Sequence, residues 1–338
     1  MSEKKYQILV TGAAGFLGSH LSEVLSNKGH KVIGIDNMLG GYKDNIPKNI
    51  KFYEMDCCDH ESIKKIIKNV DIVYHCAATA HEGLSVFSPY EITKNNYLAS
   101  VSIFSAAVAK KVKRIIFCSS MARYGDQKYP FIETMSPKPV DPYAISKVAS
   151  EQVLINLCEL NKIEWVIAVP HNIIGPKQKY DDPFRNVVSI MINRMLQGKA
   201  PIIYGDGKQV RCFSYIDDCL SCLIPMLDQK NLNKQIINIG PDEEFVTINK
   251  IAELCSNITG VNLPPIYKKD RPQEVKHAVC SADKARKFLH YKTTVNLKEG
   301  IKKTFEYIKK RGVKPFDYNI KIEIDNELTP ETWKKKEI

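Results

Sequence analysis

A short apolar strand pattern, Tyr6 to Val10, runs straight into Thr11-Gly12-Ala13-Ala14-Gly15-Phe16-Leu17-Gly18 and then into a helical pattern from Ser19 to Lys28. This order of strand, glycine turn and helix constrains the chain more than any other feature. Spaced as G-x-x-G-x-x-G, the glycines permit a tight turn, let backbone amides approach a pyrophosphate at the helix N-terminus, and bring helix and strand close together. Alone the motif is weak. A second strand, Lys31 to Ile35, ends in Asp36, about twenty residues further on, where a carboxylate accepts hydrogen bonds from an adenosine ribose. That carboxylate repels a 2′-phosphate and no Arg immediately follows it, so NAD is expected rather than NADP.

Strand patterns recur at Lys51 to Glu54, Asp71 to His75, Arg114 to Cys118 and Trp165 to Val169, separated by helical patterns such as Glu61 to Asn69 and Leu98 to Lys110. Strand alternating with helix means an α/β fold with a doubly wound parallel sheet, whose ligands bind at the carboxyl ends of the strands. Candidate cofactor residues are therefore Gly12, Gly15, Phe16, Leu17 and Gly18 in the turn, Asp36 with Asn37, Asp56 with Cys57, Ala77 with Ala78, Asn96, and Ser119. Asp56 reads equally as a surface turn, and the two alanines as small packing residues. His75 ends an apolar strand and reads as a packed structural histidine.

Composition removes several classes of function. No apolar run approaches the roughly 18–20 residues of a membrane helix, and the most apolar stretch, Ala99 to Ala109, is short and carries three serines. The start of the chain passes from charged residues into a strand without a signal-peptide core, so a cytoplasmic protein is expected. A net charge of +11 raises the question of nucleic acid, but the lysines are scattered, and no helix-turn-helix or zinc-finger spacing is present. No nucleic acid and no membrane partner are expected. Ten cysteines in such a chain read as reduced thiols. Cys219-Leu220-Ser221-Cys222 has metal spacing but sits in an apolar run without a second pair, so neither metal nor disulfide is assigned.

The chemistry is carried by Ser119-Ser120 at a strand end and by Tyr143-Ala144-Ile145-Ser146-Lys147 on a helix begun near Asp141-Pro142. Residues i and i+4 share a helix face. An ammonium beside a phenol lowers the phenol pKa, as does a cationic nicotinamide, which makes Tyr143 a candidate general base.

With TGAAGFLG, His75-Cys76-Ala77-Ala78, Asn96, Ser119-Ser120, Tyr124-Gly125 and DPYAISK at 141–147 in place, the chain resembles the extended short-chain dehydrogenase/reductase family, in its nucleotide-sugar epimerase and dehydratase group. The likeness runs from Tyr6 to about Ile308 and continues through Asn172-Ile173-Ile174-Gly175-Pro176, Tyr204-Gly205-Asp206-Gly207, Arg211 and Arg271-Pro272-Gln273-Glu274-Val275. It implies that Tyr143 is the base, that Lys147 holds the nicotinamide ribose and the tyrosine, and that Ser120 bonds the reacting oxygen. Asn172 and the region after it, with Asn186 and Val187, would hold the nucleotide diphosphate. Arg211 and Arg271 would clamp its phosphates, and Tyr204 would either stack on the base or pack in the core.

Members of this group first oxidise a sugar hydroxyl, usually at C4, and differ in what the ketone does next. The group's 4,6-dehydratases follow the hydroxyl residue at position 120 with Asp and Glu; here Met121 and Ala122 stand there, and neither transfers a proton. The 3,5-epimerases and decarboxylases place Cys or Glu at position 122 and lose ground on the same residue. The remaining reading is NAD-dependent 4-epimerisation of a nucleotide sugar, with a UDP-linked substrate expected because uridine is the group's default. Aligning Arg271 to Ala278 places the small Ala278 at the gate that decides whether a C2 N-acetyl group fits; a one-residue slip would place Val279 there. A UDP-N-acetylhexosamine is therefore accepted on this reading. His81 and Glu82 lie in a loop that borders the sugar, with Met121, and a second proton transfer there would make a 4-dehydrogenase or non-standard dehydratase the alternative. A binding protein without turnover is the remaining one.

His171, Arg123 and Cys212 depart from the group's pattern. The expected division is a Rossmann NAD-binding domain at 1–170 and 209–240, a smaller mixed α/β nucleotide-sugar domain at 171–208 and 241–312, and a polar tail at 313–338 that either docks or frays. The resemblance also implies a homodimer through the helices containing Leu98 to Lys110 and Tyr143 to Leu160, whose faces Val148/Gln152/Ile155 and Ile103/Ala107 fit either a dimer or packing on the sheet.

Overall fold

The computed structural model describes residues 4–338. The first half of the chain lays down β1 (Gln7–Thr11), α1 (Phe16–Asn27), β2 (Lys31–Asp36), β3 (Lys51–Glu54), α2 (His60–Ile66), β4 (Ile72–His75), α3 (Glu82–Ser85) and α4 (Pro89–Thr93). A single π turn then leads into α5 (Ala99–Ala109), followed by β5 (Arg114–Cys118), α6 (Pro142–Asn161) and β6 (Glu164–Pro170). The second half adds β7 (Ile173–Ile174), α7 (Val187–Leu196), β8 (Ile202–Tyr204), β9 (Val210–Arg211), β10 (Ser214–Tyr215), α8 (Ile216–Leu223), β11 (Gln235–Ile239), β12 (Val246–Thr247), α9 (Ile248–Thr259), β13 (Ile266–Lys268), β14 (His277–Ala278), α10 (Asp283–Leu289), α11 (Leu297–Arg311) and α12 (Glu331–Lys334).

Seven parallel strands form one sheet in the order β11-β6-β5-β4-β1-β2-β3. The reversal of direction between β1 and β4 is the switch point at which doubly wound sheets bind ligands. Apolar residues alternate between the two faces: Ile8, Val10 and Tyr74 pack under α1 and α8, while Leu9, Val73, Ile115 and Phe117 pack under α5 and α6. Ile103 and Ala107 are fully buried against this second face, so that side of α5 is spent on the sheet. The large apolar side chains left exposed here are Leu98 in the π turn before α5, and Ile145 and Leu160 of α6. A separate cluster joins α7, α9 and α11 through Met191, Ile192, Ile251 and Ile301.

Local chemistry starts α6 where it must start. Asp141 is its N-cap and accepts from the Ala144 N–H at 2.9 Å, Pro142 occupies the first turn, and Lys162 ends the helix in a left-handed conformation. Arg123, unusual before Tyr124, pairs with Glu151 of α6 through Nε–Oε1 at 3.0 Å and Nη2–Oε2 at 2.9 Å, both side chains almost fully buried. Glu151 also accepts from Ser119 Oγ. Removing one member of such a pair leaves a buried charge without its counter-ion. Arg123→Met is expected to destabilise the protein by about 3–5 kcal/mol in urea unfolding, and the double variant Arg123→Met/Glu151→Leu to recover most of that loss.

Candidate active site

At the carboxyl end of the sheet lies a cavity of about 450 Å³, within the range of small-molecule sites. Its cofactor-side wall is the glycine turn. Gly12 is left-handed at φ +73°, and a Cβ there would sit 3.0 Å from the Ala77 backbone; a Cβ on Gly18 would sit 2.2 Å from the Gly12 carbonyl oxygen. Only glycine allows β1, α1 and the loop after β4 to meet this closely. The turn's own N–H groups are spent, Gly12 and Ala13 on the Ile35 carbonyl, Gly15 on the Gly12 carbonyl and Ala14 on Asp36, but Gly15 caps α1 without any side-chain hydrogen bond, which leaves the first N–H groups of the helix for an anion. Asp36 closes the other end of this wall, accepting from Ala14 N–H at 3.0 Å and Met38 N–H at 2.8 Å. Burial raises its carboxyl above the ordinary range against the pull of those N–H groups. Asn37 donates to Asp56 at 3.1 Å, which fixes the next strand end. These residues fit a dinucleotide with a free ribose 2′-hydroxyl.

Behind the turn, Thr11 Oγ1 accepts from the N–H groups of Cys76 at 3.1 Å and Ala77 at 3.0 Å, so its proton goes to His75 Nδ1 at 2.8 Å. His75 Nε2 then donates to Ser100 Oγ at 2.9 Å, and Ser100 to the Asn96 carbonyl. Burial pushes the His75 imidazole down to about 3, which keeps this neutral tautomer. Asn96 does not line the cavity. Its side-chain carbonyl accepts from Thr79 N–H and its NH₂ donates to the Thr79 and Ile92 carbonyls, so the amide is consumed in holding the 77–81 loop; Asn95 faces the cavity instead.

Ser120, Tyr143 and Lys147 converge on the cavity floor. Lys147 Nζ donates to the Cys118 carbonyl at 2.9 Å and lies 6.0 Å from the Tyr143 ring centroid; burial pushes its ammonium down to about 8. Burial pushes the Tyr143 phenol well above its ordinary value, and the neighbouring Ser120 hydroxyl and Arg185 charge oppose this. The helix pair is present, but the ammonium is turned to the strand rather than to the phenol oxygen.

The opposite wall is built by the second half of the chain. Ala278 faces the cavity from β14, paired with Arg211 of β9, while Val279 turns away to accept from Phe131 N–H. Arg271 grips Glu274 with two hydrogen bonds of 3.1 and 3.0 Å, and Arg211 lies 3.6 Å from the same carboxylate. Burial works to raise Glu274, but these two guanidinium groups hold it below its ordinary range. Two cations on one anion leave positive charge facing the cavity. The Arg271 guanidinium lies 5.0 Å over the Tyr204 ring. Asn186 caps α7 and donates to the Ile173 carbonyl at 3.1 Å, and Asn172 Nδ2 donates to the Cys212 carbonyl at 3.0 Å, so both amides shape the wall. Val187, Met121 and the turn residues Phe16, Leu17, Cys57, Ala78 and Ser119 also reach the cavity.

His81 Nε2 donates to Asp182 Oδ2 at 2.7 Å, both side chains buried, and the exposed Glu82 opens into the cavity beside it. Although the side chain is open to solvent in the cavity, desolvation by the surrounding walls pushes the Glu82 carboxyl up to about 7, with Asp141 adding to this and Arg211 and Arg271 opposing it. His171 also lines the cavity; its Nε2 donates to the Pro241 carbonyl at 3.1 Å and burial pushes its imidazole down to about 4, while Cys212 is buried and does not reach the cavity. Arg185 was not singled out by sequence. It lines the cavity, makes a 3.3 Å hydrogen bond to the Gly40 carbonyl, and exerts its charge on both Asp36 and Tyr143. Its place next to Asn186 was the available signal.

Residues 8–240 match the NAD dependent epimerase/dehydratase family. The chain is 34% identical over 307 residues to a putative UDP-glucose 4-epimerase of Methanocaldococcus jannaschii, covering 89% of this chain and 98% of that one. It is 30% identical to the UDP-N-acetyl-alpha-D-glucosaminuronate decarboxylase of Bacillus cytotoxicus, over 90% of this chain and 98% of that one. In three dimensions it is similar to the UDP-N-acetylglucosamine 4-epimerase of Methanobrevibacter ruminantium in complex with UDP-N-acetylmuramic acid, with a TM-score of 0.84, 30% identity, and coverage of 91% of this chain and 100% of that one. Glycine turn, Asp36, the Ser120/Tyr143/Lys147 floor and these likenesses agree, and the chain belongs to the NAD dependent epimerase/dehydratase family, as an enzyme with a Rossmann-like fold that uses NAD.

Proposed function

We propose that this enzyme interconverts C4 epimers of a UDP-sugar, with UDP-N-acetylhexosamines among its substrates, as a cytoplasmic homodimer. The observation that carries the reading is the cavity floor: Ser120, Tyr143 and Lys147 converge there, while the next two positions, Met121 and Ala122, contribute no titratable group. When bound at the glycine turn, NAD supplies reversible oxidation at one sugar carbon. Tyr143 takes the proton of the C4 hydroxyl and returns it, and Ser120 holds the reacting oxygen toward the phenol. Lys147 reaches the same floor with an ammonium softened by burial. Arg211, Arg271 and Arg185 present charge suited to a diphosphate. Epimerisation needs nothing further than rotation of the ketose within the cavity. The small Ala278 leaves space for a C2 N-acetyl group, and exposed Leu98 and Ile145 on the α5–α6 side fit a partner subunit.

One observation favours a second reading. Glu82 places a carboxyl in the same cavity, within electrostatic reach of Tyr143 and with a pKa of about 7. A group of that kind serves proton transfer near neutral pH, and would turn the ketone toward a dehydratase or 4-dehydrogenase outcome.

Tyr143→Phe is expected to retain bound NAD while lowering turnover by about 10²–10⁴-fold; a rate near wild type would remove Tyr143 as the base. Ala278→Tyr is expected to raise KM for UDP-N-acetylglucosamine much more than for UDP-glucose in parallel coupled assays, and equal loss for both would remove the gate. Glu82 yields a pH prediction. Because its folded pKa lies above the ordinary value of 4.5, the neutral form is the favoured one, and stability present below pH 4.5 is lost as pH rises through 7. Glu82→Gln, neutral throughout, is therefore expected to raise Tm by about 1–3 °C at alkaline pH and to leave it unchanged under acidic conditions, as read by calorimetry.

A further inference from the structure

The segment 313–338, expected only to dock or fray, is tied to both sides of the cavity. On one side Asn193 of α7 donates to the Lys314 carbonyl at 2.9 Å, and Arg194 to the Glu337 carbonyl at 3.0 Å. On the other, the N–H groups of Glu323 and Ile324 donate to the Phe87 carbonyl, and the Glu323 carboxylate caps α4 by accepting from the N–H groups of Tyr90 and Glu91, both at 2.9 Å. The segment thus spans from the 81–93 loop to the second half of the chain. At its end, α12 inserts Thr332 and Trp333, which are 2% exposed each. Thr332 Oγ1 lies 2.6 Å from the Tyr204 hydroxyl. The Trp333 ring stands edge-on to Phe184 at 5.1 Å and to Tyr204 at 6.1 Å. A Cβ on Gly83 would come within 3.2 Å of Arg271 and 3.7 Å of Trp333, so α3, Arg271 and Trp333 are in one packed layer. Ile338 reaches the cavity itself.

We propose that this segment is a built part of the substrate site, and that Thr332 and Trp333 are positioning residues that fix Tyr204 and Arg271 for a nucleoside diphosphate. The inference rests on the reading that Tyr204 and Arg271 hold the nucleotide end of the substrate. Its physical content is preorganisation. Tyr204 is held at three points: Thr332 takes the hydroxyl, Trp333 meets the ring edge-on, and the Arg271 guanidinium lies over the ring. A ring and a guanidinium already held in place need not be ordered when the ligand arrives, so less binding energy is lost to side-chain entropy. The glycine turn belongs to the cofactor-side wall.

The test uses the full chain with UDP as probe, titrated calorimetrically well below Tm. Trp333→Ala is expected to weaken UDP binding tenfold or more, and the isosteric Thr332→Val three- to fivefold. Bound NAD should be unchanged in both, and in steady-state assays with UDP-N-acetylglucosamine the loss should fall on KM rather than kcat. A UDP affinity within twofold of wild type in either folded variant, even with a lowered Tm, would overturn the inference, because a merely structural tail lowers Tm alone. Should Trp333→Ala not fold, Thr332→Val and Trp333→Phe carry the same comparison. Tyr204→Ala and Arg271→Ala separate the two levels. If these leave UDP affinity unchanged, the placement of the nucleotide fails and takes the inference with it; if they weaken it while the segment variants do not, the inference alone fails.

Discussion

Two glycines that cannot carry a Cβ determine how close the first strand, the first helix and the loop after β4 come to one another. With Gly18 against the Gly12 carbonyl and Gly12 against Ala77, α1 points its N-terminus at the space above β1 and β4 where the sheet reverses order. That contact has a second support behind it. The Thr11 hydroxyl, engaged by two backbone N–H groups and a neutral His75, ties the loop at Cys76 and Ala77 to the strand end. Through Ser100 and Asn96 the same chain of hydrogen bonds reaches Thr79 and so sets where His81 and Glu82 enter the cavity. A buried network with every member satisfied holds such loops rigidly, because any slip exposes an unpaired polar group to a low dielectric.

Charge is handled in the same manner on the other walls. Glu151 is paired with Arg123, Glu274 with Arg271 and Arg211, and Asp182 with His81, while Asp36 and Asp56 on the cofactor side are held by N–H groups. Glu82 is the exception among these, opening into the cavity with its carboxyl pushed up to about 7. The protein thereby combines a floor able to exchange a proton at one hydroxyl with walls whose own charges are already oriented. Charges oriented in advance in this way cost no reorganisation when a substrate binds and reacts.

The strands, their order of appearance and the glycine turn were legible because each has a local signature: apolar runs of strand length, glycines at fixed offsets, Asp36 at the next strand end. Boundaries moved by a few residues, as α2 shows by ending at Ile66 rather than Asn69. What sequence did not reveal depends on distant partners. Asn96 looked like a cofactor ligand, yet its amide is claimed by Thr79 and Ile92 across the turn of the chain. Tyr143 and Lys147 share a helix face, but the strand-end carbonyl of Cys118 captures the ammonium. Arg123 looked anomalous until Glu151, 28 residues on, was seen beside it. The segment 313–338 offered only polarity and one tryptophan; its role in the site depends on α3, α7 and Tyr204, far away in sequence.

On the proposed reaction, the ketone formed on this floor is reduced again at C4 and leaves as an epimer. Proton NMR of UDP-N-acetylglucosamine incubated with the purified protein, without added cofactor, is the decisive measurement. The galacto isomer is expected to grow to an equilibrium mixture, with NAD retained by the protein. A ketone, an alkene, or no change in protein shown to carry NAD would contradict it.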